Sequence, residues 1–221
     1  MKLLINALIK FIFGLVLVGT LIFLPAGTLA YPNGWLFIAL LFVPILLFGV
    51  VLFFTSPEIL RRRLDGKEKE NTQKGVVGLS ALMFLGGFIV AGLDYRFSWS
   101  DVPLWVVAVA SAVLLIAYAL YVEVMRENAY LSRTVKVEEG QRVVSTGLYG
   151  IVRHPMYAIT LWLFLAIPLV LGSWWSLICF LHYPIIIVVR LLSEERLLSR
   201  ELDGYAEYKK KVKYRLIPFI W

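Results

Sequence analysis

The stretch WLFIALLFVPILLFGVVLFFT, residues 35–55, contains no charged side chain. A helix of about 20 predominantly apolar residues is long enough to cross the hydrocarbon core of a bilayer. The stretch therefore predicts a transmembrane helix. Five further stretches are predominantly apolar over a comparable length and predict the same structure: residues 3–24, 76–93, 102–125, 155–172 and 174–192.

The composition of the whole chain agrees with this prediction. Of its 221 residues, 60% are hydrophobic and only 17% are charged, and the mean hydropathy is +0.81. A soluble domain of this length cannot bury so much apolar surface. We therefore expect an all-α, polytopic transmembrane helical bundle of about six spans. A cytoplasmic C-terminal helix is expected to follow, because Leu197, Leu198, Leu202 and Tyr205 have near-helical spacing on one side.

The distribution of basic residues predicts the orientation in the membrane. With the N-terminus inside, Arg96 is the one Lys or Arg in the outer loops, and the basic loops and tail are cytoplasmic, as the positive-inside rule requires. Both termini are then cytoplasmic, and we expect a multi-pass protein of the cell membrane, the inner membrane if the source is prokaryotic. Basic residues on the cytoplasmic face lie beside the anionic headgroups of the lipid bilayer. The net charge of +7 is accounted for in this way, so no nucleic-acid partner is expected.

The first apolar stretch has two interpretations. Lys2 and Lys10, the apolar run after them and the segment 28–30 are compatible with a cleavable signal peptide. The run also suffices for a full span, which is the interpretation we favour, and cleavage stays open as the alternative. Cys179 is the single cysteine, so an intrachain disulfide and a cysteine-based metal site are excluded. No metal is expected.

The chain is interpreted as a single integral membrane domain with two parts. Residues 1–130 form a four-span scaffold in which Ser, Gly and Ala let helices approach closely. Residues 131–221 form a cofactor-binding and catalytic half. In the scaffold, Glu127 is interpreted as an interfacial charge that caps a helix end. In the second part, residues 134–144 alternate in polarity and predict a short hairpin or an extended loop.

Arg153 and His154 precede Pro155, which opens the fifth apolar stretch. Proline is favoured in the first turn of a helix, so both side chains lie at a predicted helix N-terminus, where an anionic group is stabilised. Tyr157 lies one turn deeper on the same face. Taken alone, these residues also fit an interfacial belt in which Arg, His and Tyr lie among the headgroups.

A second polar cluster follows at the end of the last predicted span. Arg190 and Glu194 share a helix face, and Glu195 adds another carboxylate. Because the last two spans form a tight hairpin, the start of one must lie near the end of the other. Both clusters are then expected to converge beside an apolar cavity, which predicts a binding site. A structural ion-pair network is the alternative.

These residues carry a resemblance to a known family. The pentapeptide RHPMY at 153–157, the pair Glu194-Glu195 and GYAEYKKKVKYRLIP at 204–218 are similar, in order, spacing and membrane placement, to the isoprenylcysteine carboxyl methyltransferase family of integral-membrane methyltransferases. The resemblance covers about the last eighty residues. Ala158-Ile159 departs from the family, which often has a small residue or glycine after the tyrosine.

The resemblance implies a cofactor and an activity. The cofactor is S-adenosylmethionine, and its methyl group goes to a lipophilic acceptor, either a carboxylate such as isoprenylcysteine or a related lipid or thiol. Arg153 and Arg215 are expected to orient an anionic acceptor, and with Glu194 they are the implied catalytic residues. The cofactor-binding residues implied are Tyr149, His154, Tyr157, Glu194, Glu195, Tyr205 and Tyr208.

Two other functions stay open. Membrane sterol and enone reductases resemble this pattern and bind NADPH, although this chain is short and has no obvious basic pocket for a 2′-phosphate. A non-catalytic membrane scaffold or small transporter is the third possibility. Transporters often contain inverted repeats, and no repeat is evident here. His182, beside Pro184, is interpreted as a structural residue at a helix kink.

Overall fold

The computed structural model describes residues 2–64, 71–128, 130, 137 and 140–221, without the side chains of residues 62–63 and 71–74. The described residues form nine α-helices and one short 3-10 helix. These are α1 (Lys2–Ala26), α2 (Pro32–Thr55), α3 (Pro57–Leu64), α4 (Asn71–Phe97), α5 (Leu104–Glu127), the 3-10 helix Gly147–Gly150, α6 (Pro155–Val170), α7 (Trp174–Phe180), α8 (Tyr183–Glu201) and α9 (Tyr205–Lys211).

The helices confirm the polytopic bundle. Five segments are long and apolar enough to cross a membrane: Lys2–Ala26, Pro32–Thr55, Gly75–Phe97, Leu104–Glu127 and Trp174–Glu201. A shorter apolar helix, Pro155–Val170, corresponds to the fifth predicted span. Large apolar side chains on the outside of the bundle are exposed, including Phe54 at 77% and Leu104 at 80%. Such contiguous apolar surface marks contact with lipid, so this is a multi-pass membrane protein.

The last predicted span is broken into α7 and α8. Proline has no backbone donor and its ring clashes with the carbonyl four residues earlier, so α7 ends at Phe180 and Pro184 lies in the first turn of α8, which begins at Tyr183. His182 lies at the break, and its Nδ1 is 3.1 Å from the carbonyl oxygen of Cys179. This local contact agrees with the interpretation of His182 as a structural residue at a kink.

The C-terminal segment differs from the single helix expected after the last span. Helix α8 continues to Glu201, well beyond the predicted end of the span, and α9 begins only at Tyr205. Gly204 lies between them with φ of +81°, a left-handed conformation that glycine adopts without steric cost. Residues 212–221 form no regular helix. Of the predicted hairpin or extended loop at 134–144, residues 134–136, 138 and 139 lie outside the described residues, and residues 137 and 140–144 are in neither a helix nor a strand.

A buried carboxylate fixes the end of the bundle opposite to the polar clusters. Asp94, which is 2% exposed, accepts hydrogen bonds from the backbone N–H and the hydroxyl of Ser100, both at 2.7 Å, and from the hydroxyl of Ser173. The Ser173 hydroxyl in turn accepts from the backbone N–H of Ser176 at 2.9 Å and caps α7. Asp94 therefore holds the α6–α7 turn against α4, which sets the direction in which α8 returns.

Candidate active site

Glu195 on α8 lies at the centre of a buried ion-pair cluster. It is 4% exposed, and its Oε1 accepts from Arg153 Nε at 2.7 Å. Its Oε2 accepts from Arg215 Nε at 3.0 Å, and His154 Nε2 lies 3.4 Å from Oε1. The cluster thus joins three parts of the chain, namely α8, the turn before α6 and the C-terminal segment. A buried carboxylate is stable only with such compensation.

The C-terminal segment also pairs with the turn before α6 through the backbone. The N–H groups of Arg153 and His154 donate to the carbonyl oxygens of Tyr214 and Arg215 at 2.9 and 3.0 Å. Arg153 Nη1 donates to the carbonyl oxygens of Val212 and Lys213 at 2.8 and 2.9 Å. The buried guanidinium of Arg153 is therefore engaged with protein groups and anchors the segment.

A second group of side chains surrounds the hydroxyl of Tyr157. This hydroxyl donates to Glu194 Oε2 and accepts from Arg190 Nε at 3.0 Å. The rings of His154 and Tyr157 are stacked, with centroids 5.7 Å apart. The predicted convergence of the two polar clusters is therefore present in the structure, at the start of α6 and the second half of α8.

A narrow cleft of about 90 Å³ lies beside these groups. Seven of the residues expected at the site line it: Tyr149, Arg153, His154, Tyr157, Glu194, Tyr205 and Tyr208. Glu195 and Arg215 are not among the described residues that line the cleft; they lie behind its wall in the ion-pair cluster. Small-molecule sites usually measure roughly 300–1,000 Å³, so a ligand of nucleoside size requires this wall to open.

The two tyrosines of α9 make different contacts at the cleft. The Tyr208 hydroxyl donates to the carbonyl oxygen of Tyr149 at 2.7 Å. The Tyr205 hydroxyl is buried without a hydrogen-bond partner among the described residues. Burial, reinforced by the negative charges of Glu195 and Glu194, raises the pKa of Tyr205 well above its ordinary value. The hydroxyl therefore keeps its proton and is available as a donor to a ligand.

Sequence reasoning missed the way in which the end of α5 supports this cleft. The Glu127 carboxylate accepts from the backbone N–H of Leu148, with Oε2 at 3.0 Å, so it is more than the interfacial charge expected. Gly147 has φ of +52°, and a Cβ there would lie 1.3 Å from Glu127 Oε1. Asn128 Nδ2 donates to the Tyr149 hydroxyl at 3.0 Å. No local pattern signals these contacts, because they join residues about twenty positions apart.

The matched family agrees with the resemblance seen in the sequence. Residues 105–203 match the family model for phospholipid methyltransferases. The matched segment is just under half of the chain, and it is similar to the domain of that family. The family includes the membrane methyltransferases that resemble isoprenylcysteine carboxyl methyltransferase, so the expected relationship is confirmed, and the matched segment indicates a membrane methyltransferase. No curated protein matches the chain.

The matched segment contains α6, α7 and α8 and most of α5. It therefore includes both polar clusters, while Tyr205, Tyr208 and Arg215 follow it. It begins within the fourth predicted span rather than at residue 131, so the division of the chain at residues 130 and 131 stays a prediction.

Methyltransferases of this family generally use S-adenosylmethionine, and the chemistry of the cleft fits this cofactor. Its amino-acid portion carries an ammonium group, for which the Glu194 carboxylate is a suitable acceptor. Its carboxylate and ribose hydroxyls can accept hydrogen bonds, and the unpartnered Tyr205 hydroxyl is a donor. The donor set fits, provided that the narrow cleft opens.

Proposed function

We propose that this protein is an S-adenosylmethionine-dependent methyltransferase that acts on a lipophilic acceptor, a carboxylate such as isoprenylcysteine or a related lipid or thiol. The observation that carries the proposal is the cleft itself. Glu194, Tyr157 and His154 of the matched segment line it together with the Tyr205 hydroxyl, which lacks a partner among the described residues. A buried hydroxyl without a partner costs about 1–3 kcal/mol, which a bound ligand would recover.

Each side chain has a distinct part in the proposed site. Glu194 binds the ammonium group of the cofactor, and its second contact, with the Tyr157 hydroxyl, keeps the carboxylate turned towards the cleft. Tyr205 donates to the cofactor, and Tyr149, His154 and Tyr208 shape the wall. When bound, S-adenosylmethionine would supply a methyl group that is attached to its sulfonium sulfur. The methyl group passes to the nucleophile of the acceptor, and the sulfur becomes a neutral thioether.

Glu195 and Arg215 act as positioning residues in this proposal. Their carboxylate and guanidinium bond to each other behind the wall, and Glu195 also holds Arg153 at 2.7 Å. They fix the turn before α6 against the C-terminal segment. The protein then contributes alignment of the reactants and exclusion of water, which suffice to accelerate a displacement that needs no metal.

The cleft is proposed to face the cytoplasm, with both termini on that side. The positive-inside bias of the loops supports this orientation. The polar cofactor enters from the water and the acceptor enters from the bilayer.

Calorimetric binding to detergent-purified protein tests the proposal. S-adenosylhomocysteine is expected to bind, and Glu194→Gln should weaken it roughly tenfold or more, since hydrogen bonds to charged groups are worth about 1.5–3 kcal/mol. Glutamine can still accept from Tyr157, so the wall is preserved. The matched control is Glu201→Gln, an exposed residue of the same helix, which should bind like the wild type.

The same experiment separates the other functions. Binding of NADPH without binding of S-adenosylhomocysteine would favour the function of a membrane sterol or enone reductase. If neither compound binds, the polar clusters are structural and the enzymatic proposal fails.

A further inference from the structure

The chain folds back on itself at residues 215–221, which we call the C-terminal loop. Pro218 has no backbone N–H. Five of the other six backbone N–H groups donate to carbonyl oxygens of the loop itself at 2.9–3.2 Å: those of Arg215, Leu216 and Ile217 to Trp221, and those of Ile220 and Trp221 to Ile217. A loop that satisfies its own backbone donors loses less free energy when it leaves water.

The side chains at the tip of the loop are apolar and exposed. Phe219 is 87% exposed and Ile220 is 76% exposed; the Phe219 ring lies beside the Tyr214 ring, with centroids 5.4 Å apart. Phe219 has φ of +65°, a left-handed conformation that is unusual for a bulky residue and persists where other contacts offset its cost. Because the described residues leave most of this side chain uncovered, its position favours a contact outside them.

The loop continues the lipid-facing surface of the bundle. Leu216 and Pro218 line an apolar groove of about 370 Å³ together with residues of two helices, among them Ile116 and Leu120 on α5 and Trp162 on α6. These three helix residues are exposed on the outside of the bundle, where contiguous apolar surface marks contact with lipid. The loop therefore lies beside helices that are themselves surrounded by lipid.

Helix α6 is too short to cross the bilayer alone. Its 16 residues span roughly 24 Å at about 1.5 Å per residue, whereas the hydrocarbon core is about 30 Å thick. Just before α6, the N–H groups of Arg153 and His154 donate to the carbonyl oxygens of residues 214 and 215. This pairing places the loop at the end of the short helix, where an apolar cover compensates for the missing length.

Basic residues precede the tip of the loop. Residues 208–221 contain no acidic side chain and five cations: Lys209, Lys210, Lys211, Lys213 and Arg215. Lysines outside a membrane-associated segment are attracted to anionic headgroups. Apolar insertion combined with a basic cluster supplies the two contributions that stable attachment to a bilayer surface requires.

From these observations we propose that the C-terminal loop is an interfacial membrane anchor. The side chains of Phe219 and Ile220 lie among the acyl chains of the leaflet that surrounds the start of α6, and the lysines before them lie at its anionic headgroups. The anchor positions the C-terminal segment and so holds Arg215 against Glu195. This inference does not depend on the proposed methyltransferase function.

Photolabelling of the wild-type protein in lipid nanodiscs tests the anchor without any substitution. The nanodiscs contain phosphatidylcholine and phosphatidylglycerol, and the probe is a phosphatidylcholine with an aryl diazirine in its acyl chain. Mass spectrometry should find Phe219 and Ile220 labelled to a level comparable with Ile116, which is 60% exposed on α5. Residues 203–207 are the control and should carry little label. Labelling of the tip no higher than that of residues 203–207 would overturn the inference.

A change of lipid tests the part assigned to the lysines. In nanodiscs of phosphatidylcholine alone, labelling of Phe219 and Ile220 relative to Ile116 should fall roughly twofold or more, because the anionic headgroups are absent. Equal relative labelling in the two kinds of nanodisc would contradict the electrostatic contribution.

Variants of the tip test whether the anchor positions the C-terminal segment. Phe219→Ser combined with Ile220→Ser should speed hydrogen exchange at the amides of Arg153 and His154, which donate to that segment, roughly tenfold or more, since two apolar side chains no longer enter the lipid. Phe219→Leu combined with Ile220→Leu keeps the tip apolar and should exchange like the wild type. Equal exchange in the serine and leucine variants would overturn the positioning role.

Discussion

Arg153 and Glu195, 42 positions apart in the chain, form an ion pair of 2.7 Å between side chains that are only 6% and 5% exposed. The pair joins the turn before α6 to α8, and Arg215 binds the second oxygen of the same carboxylate. Removing one member of a buried pair leaves an uncompensated charge and costs about 3–5 kcal/mol. Substitution of either residue of the ion pair is therefore expected to disturb the wall of the cleft.

Glu195→Ala is accordingly expected to destabilise the protein by about 3–5 kcal/mol, measured as a loss of thermal stability in detergent. Glu201→Ala on the exposed side of the same helix should stay within about 0.5 kcal/mol of the wild type. The double variant Arg153→Met with Glu195→Leu should recover part of the lost stability, because the most buried cation of the cluster is removed together with the carboxylate, while the partly buried Arg215 loses this partner. Equal destabilisation by Glu195→Ala and Glu201→Ala would show that the pair contributes nothing.

Gly147→Ala should disturb the wall of the cleft where it contacts the end of α5. The left-handed φ of Gly147 disfavours any other residue, and the new methyl group would collide with the Glu127 carboxylate 1.3 Å away. We expect a loss of stability greater than 1 kcal/mol and weaker binding of S-adenosylhomocysteine. Gly78→Ala is the control, because a Cβ there meets nothing within 4 Å and alanine favours the helix. Wild-type behaviour of Gly147→Ala would mean that Glu127 moves aside freely.

The hydroxyls of Tyr205 and Tyr208 should respond differently to replacement by phenylalanine. Tyr205→Phe removes a hydroxyl without a partner among the described residues, so the thermal stability of the ligand-free protein should be unchanged or higher while S-adenosylhomocysteine binds more weakly. Tyr208→Phe breaks the hydrogen bond to Tyr149 and should lower stability by about 1 kcal/mol. Thermal unfolding with and without ligand distinguishes the two. The same response in both variants would contradict the assigned donor role of Tyr205.

Opening of the cleft on ligand binding is the fourth prediction. Because the cleft measures only about 90 Å³, the proposed binding of S-adenosylmethionine requires part of its wall to move, and we expect the chain to bend at the left-handed Gly204 before α9. Hydrogen exchange should change on addition of S-adenosylhomocysteine in residues 202–212 and stay constant in α1. Ligand binding with no change in residues 202–212 would place the movement elsewhere.

The sequence predicted the bundle and the meeting of its polar clusters because both follow from local patterns. Apolar runs of sufficient length predicted the spans, and Pro155 marked the start of α6. The sequence did not separate the two adjacent carboxylates of α8. Neighbouring helical residues point about 100° apart, so Glu194 faces the cleft and Glu195 faces the ion-pair cluster, and only the packing of α8 decides which is which.

Contacts between residues that are far apart in the chain were not predicted from the sequence. The support of Leu148 by Glu127 depends on how α5 ends relative to a turn that follows an irregular segment. The sequence pattern predicted one helix over residues 174–192 and one helix in the C-terminal tail. The structure interrupts these helices before Pro184 and at Gly204. The missing backbone donor of Pro184 and the left-handed φ of Gly204 outweigh the periodic pattern at these two positions.

The pairing of residues 153–154 with residues 214–215 has a consequence for biosynthesis. During translation α6 enters the membrane with the guanidinium of Arg153 before its carbonyl partners, some sixty residues later, have been made. Until then the arginine has to be accommodated by headgroups and water at the bilayer surface. The order of synthesis thus delays assembly of the cleft until the chain is anchored in the membrane, so nascent chains carry no competent site while they are still being inserted.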